Sequence, residues 1–248
     1  MSDTAYLSLL LDGPLQSWGF ASRFQRRATG LHPTKSGVIG LICAAMGLAK
    51  GSDEEHENLP QLRALQMTSI TIPRQQTNVW TGEKAEIAPR RLEDFHTVGG
   101  GYDKETRRQF IPRKASGGPD KNPTVSHRQY LNDTRFGVIL AGDRFVLERV
   151  ASALQNPIWG VWFGRKSCIP AEPIAPRLFH TRVEAEGVLI GDVPIGQFTR
   201  LEEVVTFDAG TDSYNDQPVS FGTADSSAEG RGYAVRRVNL VVGKIQDS

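Results

Sequence analysis

Residues 23–48, RFQRRATGLHPTKSGVIGLICAAMGL, run three arginines (Arg23, Arg26 and Arg27) straight into an apolar helical pattern. Val38, Leu41, Ile42, Ala45 and Met46 fall on one helical face, and Gly40, Ala44 and Gly47 form a second face of small residues. A glycine inside a helix costs roughly 1 kcal/mol relative to alanine, so this pattern calls for a second backbone close by. The expected element is a helix lying flat on a sheet. Thr34 or Ser36 is placed to cap it. Any first-turn amide left uncapped, with the helix dipole behind it and Arg26, Arg27 and Lys35 beside it, suits an anion such as phosphate. The alternative is a plain core helix preceded by a solvated basic loop.

The neighbouring segments supply the sheet. Residues 5–11 (AYLSLLL) read as a strand ended by Asp12-Gly13-Pro14, and residues 67–72 (MTSITI) alternate and are β-branched. Residues 135–141 (RFGVILA) form a third, near-continuously apolar strand, and Asp143 then caps a helix over residues 144–155 with Phe145, Leu147, Val150, Ala151 and Leu154 inward. Residues 158–170 (IWGVWFGRKSCIP) lie at a helix-to-strand junction, where Gly164, Arg165 and Lys166 can bring amides and cations to a phosphate. Strand, helix, strand, long insertion, strand, helix, strand is the β-α-β-β-α-β order of a ferredoxin-like α+β domain.

Three regions fit that order less well. Residues 53–57 (DEEHE) read as an acidic surface turn before a short helical piece near residues 59–65. Residues 74–134 show little sustained periodicity and many cations, and a loop of that length is usually functional or disordered. Within it, residues 107–114 (RRQFIPRK) allow a projecting basic hairpin carrying Arg107, Arg108, Arg113 and Lys114, or else a disordered excursion. From about residue 171 to 248, short strand candidates at residues 177–180, 203–207, 219–221 and 232–242 point to a smaller, mostly β region.

A net charge of +1 argues against nonspecific coating of nucleic acid, yet the cations between residues 104 and 128 are locally dense. Two cysteines, Cys43 and Cys168, make neither a disulfide framework nor a metal spacing, which favours a reducing cytoplasm. The longest apolar helical run falls short of the roughly 20 residues a membrane span needs. No HExxH, GxxxxGK[ST] or GxSxG pattern occurs, so metal-dependent hydrolysis, nucleotide hydrolysis and serine-esterase chemistry have no signal. A metal-independent ribonuclease needs only a general base and a cation near a 2′-hydroxyl, and His32, His96 or His127 with Lys35 or Tyr130 would provide these groups. Nothing in the sequence fixes their mutual distances. Trp18, beside Gly19 in a loop, is either a stacking platform for a base or a core anchor.

In this order and spacing, LLLDGPLQSWG, PTKSGVIGLICAAMGL, LEDFHTVGGG, RQYLNDTRFGVIL and FGRKSC resemble the CasD subunits of type I-E Cascade complexes, in the RAMP superfamily of CRISPR proteins. The resemblance covers residues 5 to about 170. It implies a ferredoxin-like, RRM-like domain over residues 1–170, with a thumb hairpin in an insertion at about residues 74–134. It also implies a noncatalytic, cofactor-free protein that holds the 5′ handle of the CRISPR RNA (crRNA). Its partners would be the Cascade backbone subunits and the large subunit, with target DNA met only through the complex and no membrane involved. Matched to the motifs, the expected RNA-binding residues are Trp18, Arg26, Arg27, Thr34, Lys35, Ser36, Gly37, His96, Gly164, Arg165 and Lys166. Arg107, Arg108, Arg113 and Lys114 would be thumb contacts to RNA or subunits. Ala28 stands where the family often has proline, and Lys166 where a second arginine is common, which gives up a bidentate fork. A type I-C relative cuts precursor RNA, so an endoribonuclease is the second expectation. A protein-interaction subunit without RNA contact is the third.

Overall fold

The computed structural model describes residues 3–20, 25–98, 123–222 and 231–243. Its first strand, β1 (Thr4–Gln16), buries Ala5, Leu7, Leu9 and Leu11 on one face, the alternation expected from a period of two. A two-residue strand, β2 (Arg26–Arg27), precedes α1 (Lys35–Met46), α2 (Asp53–Ala64) and β3 (Gln66–Thr71). Then come β4 (Arg74–Thr77), β5 (Lys84–Ile87), β6 (Arg90–Val98), the 20-residue β7 (Thr124–Asp143), and α3 (Arg144–Gln155). The chain continues through β8 (Arg177–Phe179), α4 (Arg182–Ile190), β9 (Thr199–Glu203), β10 (Asp212–Phe221) and β11 (Arg231–Val241).

Among the described residues one nine-stranded sheet runs β10-β11-β9-β3-β7-β1-β8, with β2 and β6 also paired to β7. The two crossovers interleave. The connection from β1 to β3 through α1 and α2 skips β7, and that from β7 to β8 through α3 skips β1. Neighbours β3-β7, β7-β1 and β1-β8 are all antiparallel. β1 and β7 share a long register from Thr4↔Asp143 to Gln16↔Leu131. On one face, Val38, Ile42, Leu147, Val150 and Leu154 of α1 and α3 meet Leu7, Leu9, Val138 and Leu140 of the sheet. Each such side chain contributes about 1.5–3 kcal/mol by leaving water. The opposite face is covered by α4, whose Ala185 and Leu189 pack with Ile70, Ile139 and Phe198. No helix among the described residues is long and apolar enough to cross a membrane.

The structure differs from the sequence-based expectations at several points. No strand forms within residues 158–170; the closing strand of the interleaved order is β8 instead. Phe163 and Cys168 are buried there in a tight loop, in which the Phe163 N–H donates to the Cys168 carbonyl at 2.9 Å. The acidic run is the first turn of α2, capped by the Ser52 hydroxyl, and Asp53, Glu54 and Glu55 suit the positive end of its dipole. The β-rich region also contains α4, announced by a capping box between Thr181 and Glu184 that the sequence reading passed over. The strand expected at residues 203–207 is shifted back to β9, and Phe207–Ala209 is a 3-10 turn. Part of the insertion is regular: β4, β5, β6 and the first residues of β7 lie in it. The segment holding Arg107, Arg108, Arg113 and Lys114 lies outside the described residues.

Candidate nucleic-acid interface

The entry of α1 is closed from within the chain. Thr34 caps the helix, its hydroxyl accepting from the Gly37 N–H at 3.3 Å. The Lys35 N–H donates to Asp216 Oδ2 at 2.8 Å, so the carboxylate that meets the helix dipole is the protein's own. Asp216 is held in turn by a two-pronged contact from Arg236, both bonds 2.9 Å. The Lys35 ammonium is 1% exposed and donates to both Glu203 oxygens, at 2.7 and 3.0 Å. Burial lowers the Lys35 pKa, an effect opposed by Glu203. Lys35 and the amides near Gly37 were expected to face a phosphate; in this geometry carboxylates from β9 and β10 occupy that place. Ser36 remains half-buried at the helix start.

Of the two alternatives for Trp18, stacking platform or core anchor, the structure has the second. It is fully buried, its indole N–H donates to Gln16 Oε1 at 3.0 Å, and its ring lies 6.0 Å from Phe163. Its ring faces the core, and its backbone holds Thr29 and Gly30. Its N–H donates to Thr29 Oγ1 and its carbonyl accepts from the Gly30 N–H, which fastens the two ends of that loop together. Gly37 is needed above it, since a Cβ there would sit 2.9 Å from the indole ring and from Thr34 Oγ1.

The exposed cations gather farther along β7. Arg26 and Arg27 are exposed on β2 and pair in parallel with His127 and Arg128. Arg165 donates from Nη1 to the Gln129 carbonyl at 3.1 Å and from Nη2 to the Arg27 carbonyl at 3.0 Å. Its guanidinium lies 4.6 Å from the centroid of the Tyr130 ring. This one side chain staples β2 onto β7. Lys166 is exposed, 5.8 Å from the Trp162 ring. Gly164 (φ 96°) sets the loop against Ser17, just past the end of β1, where an added Cβ would lie 1.8 Å from the Ser17 carbonyl oxygen. His96 is exposed on β6, and its carbonyl accepts from the Ser126 hydroxyl at 3.3 Å. Arg128 Nε donates to the same hydroxyl at 3.1 Å. His127 Nδ1 is 3.2 Å from Glu93 Oε1, with the Phe95 ring 4.5 Å from the imidazole.

Of the expected site, Arg26, Arg27, Gly164, Arg165 and Lys166 thus come together, whereas Lys35 and Trp18 are buried supports. The sequence reading missed Glu203, Asp216 and Arg236, which lie far along the chain from Lys35. It also missed a cleft of about 370 Å³ lined by Phe20, Leu31, His32, Arg91, Leu201 and Tyr214. His32 in that cleft is pushed down to about 4 by burial and then by the Arg236 charge, so it is neutral at pH 7 and no ready cation. Burial raises the thiol pKa of Cys43, to about 12, and that of Cys168 as well. Among the described residues no group of three or more His, Cys, Asp or Glu side chains is arranged to hold a metal ion.

Comparison with known proteins agrees with this architecture. The chain is 28% identical to the CRISPR system Cascade subunit CasD of Escherichia coli (strain K12) over 209 residues, covering 82% of this chain and 83% of that one. A chain of a solved CRISPR RNA-guided surveillance complex superposes with a TM-score of 0.69 at 25% identity, covering 97% of this chain and 90% of that one. A crystal structure of a Cas protein matches with a TM-score of 0.59 at 26% identity, covering 97% and 98% of the two chains. A family model described as CRISPR-associated protein (Cas_Cas5) matches residues 6–238, and the chain belongs to that family.

Proposed function

We propose that this chain is a noncatalytic subunit of a CRISPR RNA-guided surveillance complex and binds the 5′ handle of the crRNA. The observation that carries the reading is the cluster of Arg26, Arg27, Arg165 and Lys166 at the junction of β2, β7 and the 163–168 loop, held by the Arg165 staple. Such cations neutralise successive phosphates of a single strand, and His96 and Arg128 extend the surface along β6 and β7. In this reading the interleaved β1, β3, β7 and β8 with their crossover helices are a ferredoxin-like unit, residues 171–248 are an appended β-rich region, and β6 and β7 are the base of a thumb. Arg107, Arg108, Arg113 and Lys114 of that thumb would then meet the guide or the backbone and large subunits. Lys35, Thr34, Ser36, Gly37 and Trp18 serve by positioning the arginine loop.

A second reading has its own observation. His127, beside Glu93 and among Arg26 and Arg128, has the partners of a general base near a 2′-hydroxyl. Incubating the purified chain with labelled precursor repeat RNA, without divalent metal, separates the two. Retardation without cleavage supports handle binding. Specific cleavage that is lost in His127→Ala supports the endoribonuclease and overturns the noncatalytic reading. Absence of both, with assembly that is equal with and without guide RNA, leaves a protein-interaction subunit.

A further inference from the structure

A feature outside the cationic cluster is the two-stranded hairpin of β4 and β5, which among the described residues pairs with itself alone, in the register Arg74↔Ile87 to Thr77↔Lys84. Its turn presents Val79 and Trp80 at 91% and 95% exposure, whereas Trp18 is fully buried and Trp159 is 44% exposed. A tryptophan side chain carries on the order of 150–250 Å² of surface suited to burial, and leaving all of it in water is costly for solubility. The tip is also firmly built. The Asn78 side-chain oxygen accepts from the N–H groups of Trp80 (2.9 Å) and Thr81 (3.2 Å). The Asn78 N–H donates to the Glu83 carbonyl, the Gly82 N–H donates to the Asn78 carbonyl, and the Thr81 hydroxyl donates to Glu83 Oε2 at 3.2 Å. At the foot, Arg74 is pinned by Asp12 and, at 3.2 Å, by Asp133. Four-residue strands at ~3.4 Å per residue carry the tip about 14 Å beyond that foot.

Charge selects the occupant. Between the foot and the tip the exposed ionic residues are Glu83, Lys84 and Glu86, a net charge of −1 that offers no attraction to a phosphate backbone or an anionic lipid surface. We propose that Trp80 is a preorganised aromatic anchor for a neighbouring protein subunit of the complex, seated in an apolar pocket whose rim is cationic and faces Glu83 and Glu86. This rests on the reading of the chain as a complex subunit. A turn whose backbone is already fixed loses little entropy on docking, and buried tryptophans dominate interface energetics.

The test is reconstitution of the ribonucleoprotein from the full chain, guide RNA and the remaining subunits, with handle-RNA retention and thermal melting measured in parallel. Trp80→Ala is expected to melt and retain RNA as the wild type does but to assemble on the order of 30-fold more weakly. Trp80→Phe is expected to recover most of that loss. Assembly of Trp80→Ala with wild-type affinity overturns the inference. So does loss of RNA retention with unchanged assembly, which would make the tip a base-stacking element. Glu83→Lys with Glu86→Lys is expected to slow assembly, and an unchanged rate removes the cationic rim. If the wild-type chain retains no handle RNA while assembly still depends on Trp80, the handle-binding reading fails and the anchor stands.

Discussion

Lys35 and Glu203 form an ion pair of 2.7 Å, with the lysine side chain 1% and the glutamate side chain 12% exposed, and it ties the first residue of α1 to the last residue of β9. Glu203 also accepts from the Met67 N–H at 3.0 Å and lies 3.9 Å from Arg236 Nη1, so one carboxylate serves α1, β3 and β11. Removing one partner of such a buried pair leaves the other charge uncompensated, which costs about 3–5 kcal/mol. Glu203→Gln is expected to destabilise by that amount in urea unfolding. Adding Lys35→Met to Glu203→Gln is expected to recover at least half of the loss, because the orphaned ammonium is gone. Strictly additive losses would show that the two side chains act independently.

How much of this was legible in the sequence follows from range. The α3 helix was readable to its ends because Asp143 caps it locally and its apolar residues recur at helical spacing. The entry of α1 was readable as a cap followed by a helix, with Thr34 as one of two candidates. The acid that fills that entry was not, because Asp216 lies 181 residues farther on and no local pattern links the two. The same holds for Arg165. Its charge suggested phosphate, while its bonds to the carbonyls of Arg27 and Gln129 depend on how a two-residue strand meets β7. Trp18 stayed ambiguous because a tryptophan beside a glycine reads alike whether it faces water or the core; only the packing against Phe163 decides.

His32 gives the fold a pH dependence with a definite sign. Its folded pKa is about 4, below the ordinary 6.5, through burial first and the Arg236 charge second. The unfolded chain therefore takes up a proton below pH 6.5 that the folded chain refuses until about pH 4. The contribution is fully present above 6.5 and is lost as pH falls towards 4, amounting to roughly 3 kcal/mol at 1.36 kcal/mol per pKa unit. His32→Asn is expected to flatten the stability profile across that window. Parallel wild-type and variant profiles between pH 6.5 and 4 would contradict the assignment.

Arg165 separates charge from geometry. Arg165→Lys preserves the charge but cannot span the Gln129 and Arg27 carbonyls, which accept at 3.1 and 3.0 Å from the two ends of one fork. β2 is only Arg26–Arg27 and is otherwise held to β7 by its parallel pairing and by the His127 N–H donating to the Gln25 carbonyl at 2.8 Å, so losing the staple loosens it. Handle-RNA binding is expected to weaken by about tenfold or more, since one lost bond to a charged group is worth about 1.5–3 kcal/mol. The salt dependence should stay as in the wild type. Binding within twofold of wild type would mean that β2 is held by its own two-residue pairing.

Removing the free cations should do the opposite to the salt dependence. Arg26, Arg27 and Lys166 are exposed, and among the described residues none of the three side chains forms an ion pair with another element. Each phosphate contact to a single strand contributes about 0.7 to the slope of log affinity against log salt concentration. Arg26→Ala, Arg27→Ala and Lys166→Ala together are expected to lower the slope by about 2 and to leave the melting temperature within a degree or two of the wild type. Lys35→Ala, whose ammonium is sealed against Glu203, is expected to reverse that pattern, with a lower melting temperature and an unchanged slope in the folded fraction. If Lys35→Ala instead lowers the slope while the triple variant does not, the phosphate site lies at the α1 entry, and the Asp216 and Glu203 carboxylates must move aside when RNA binds.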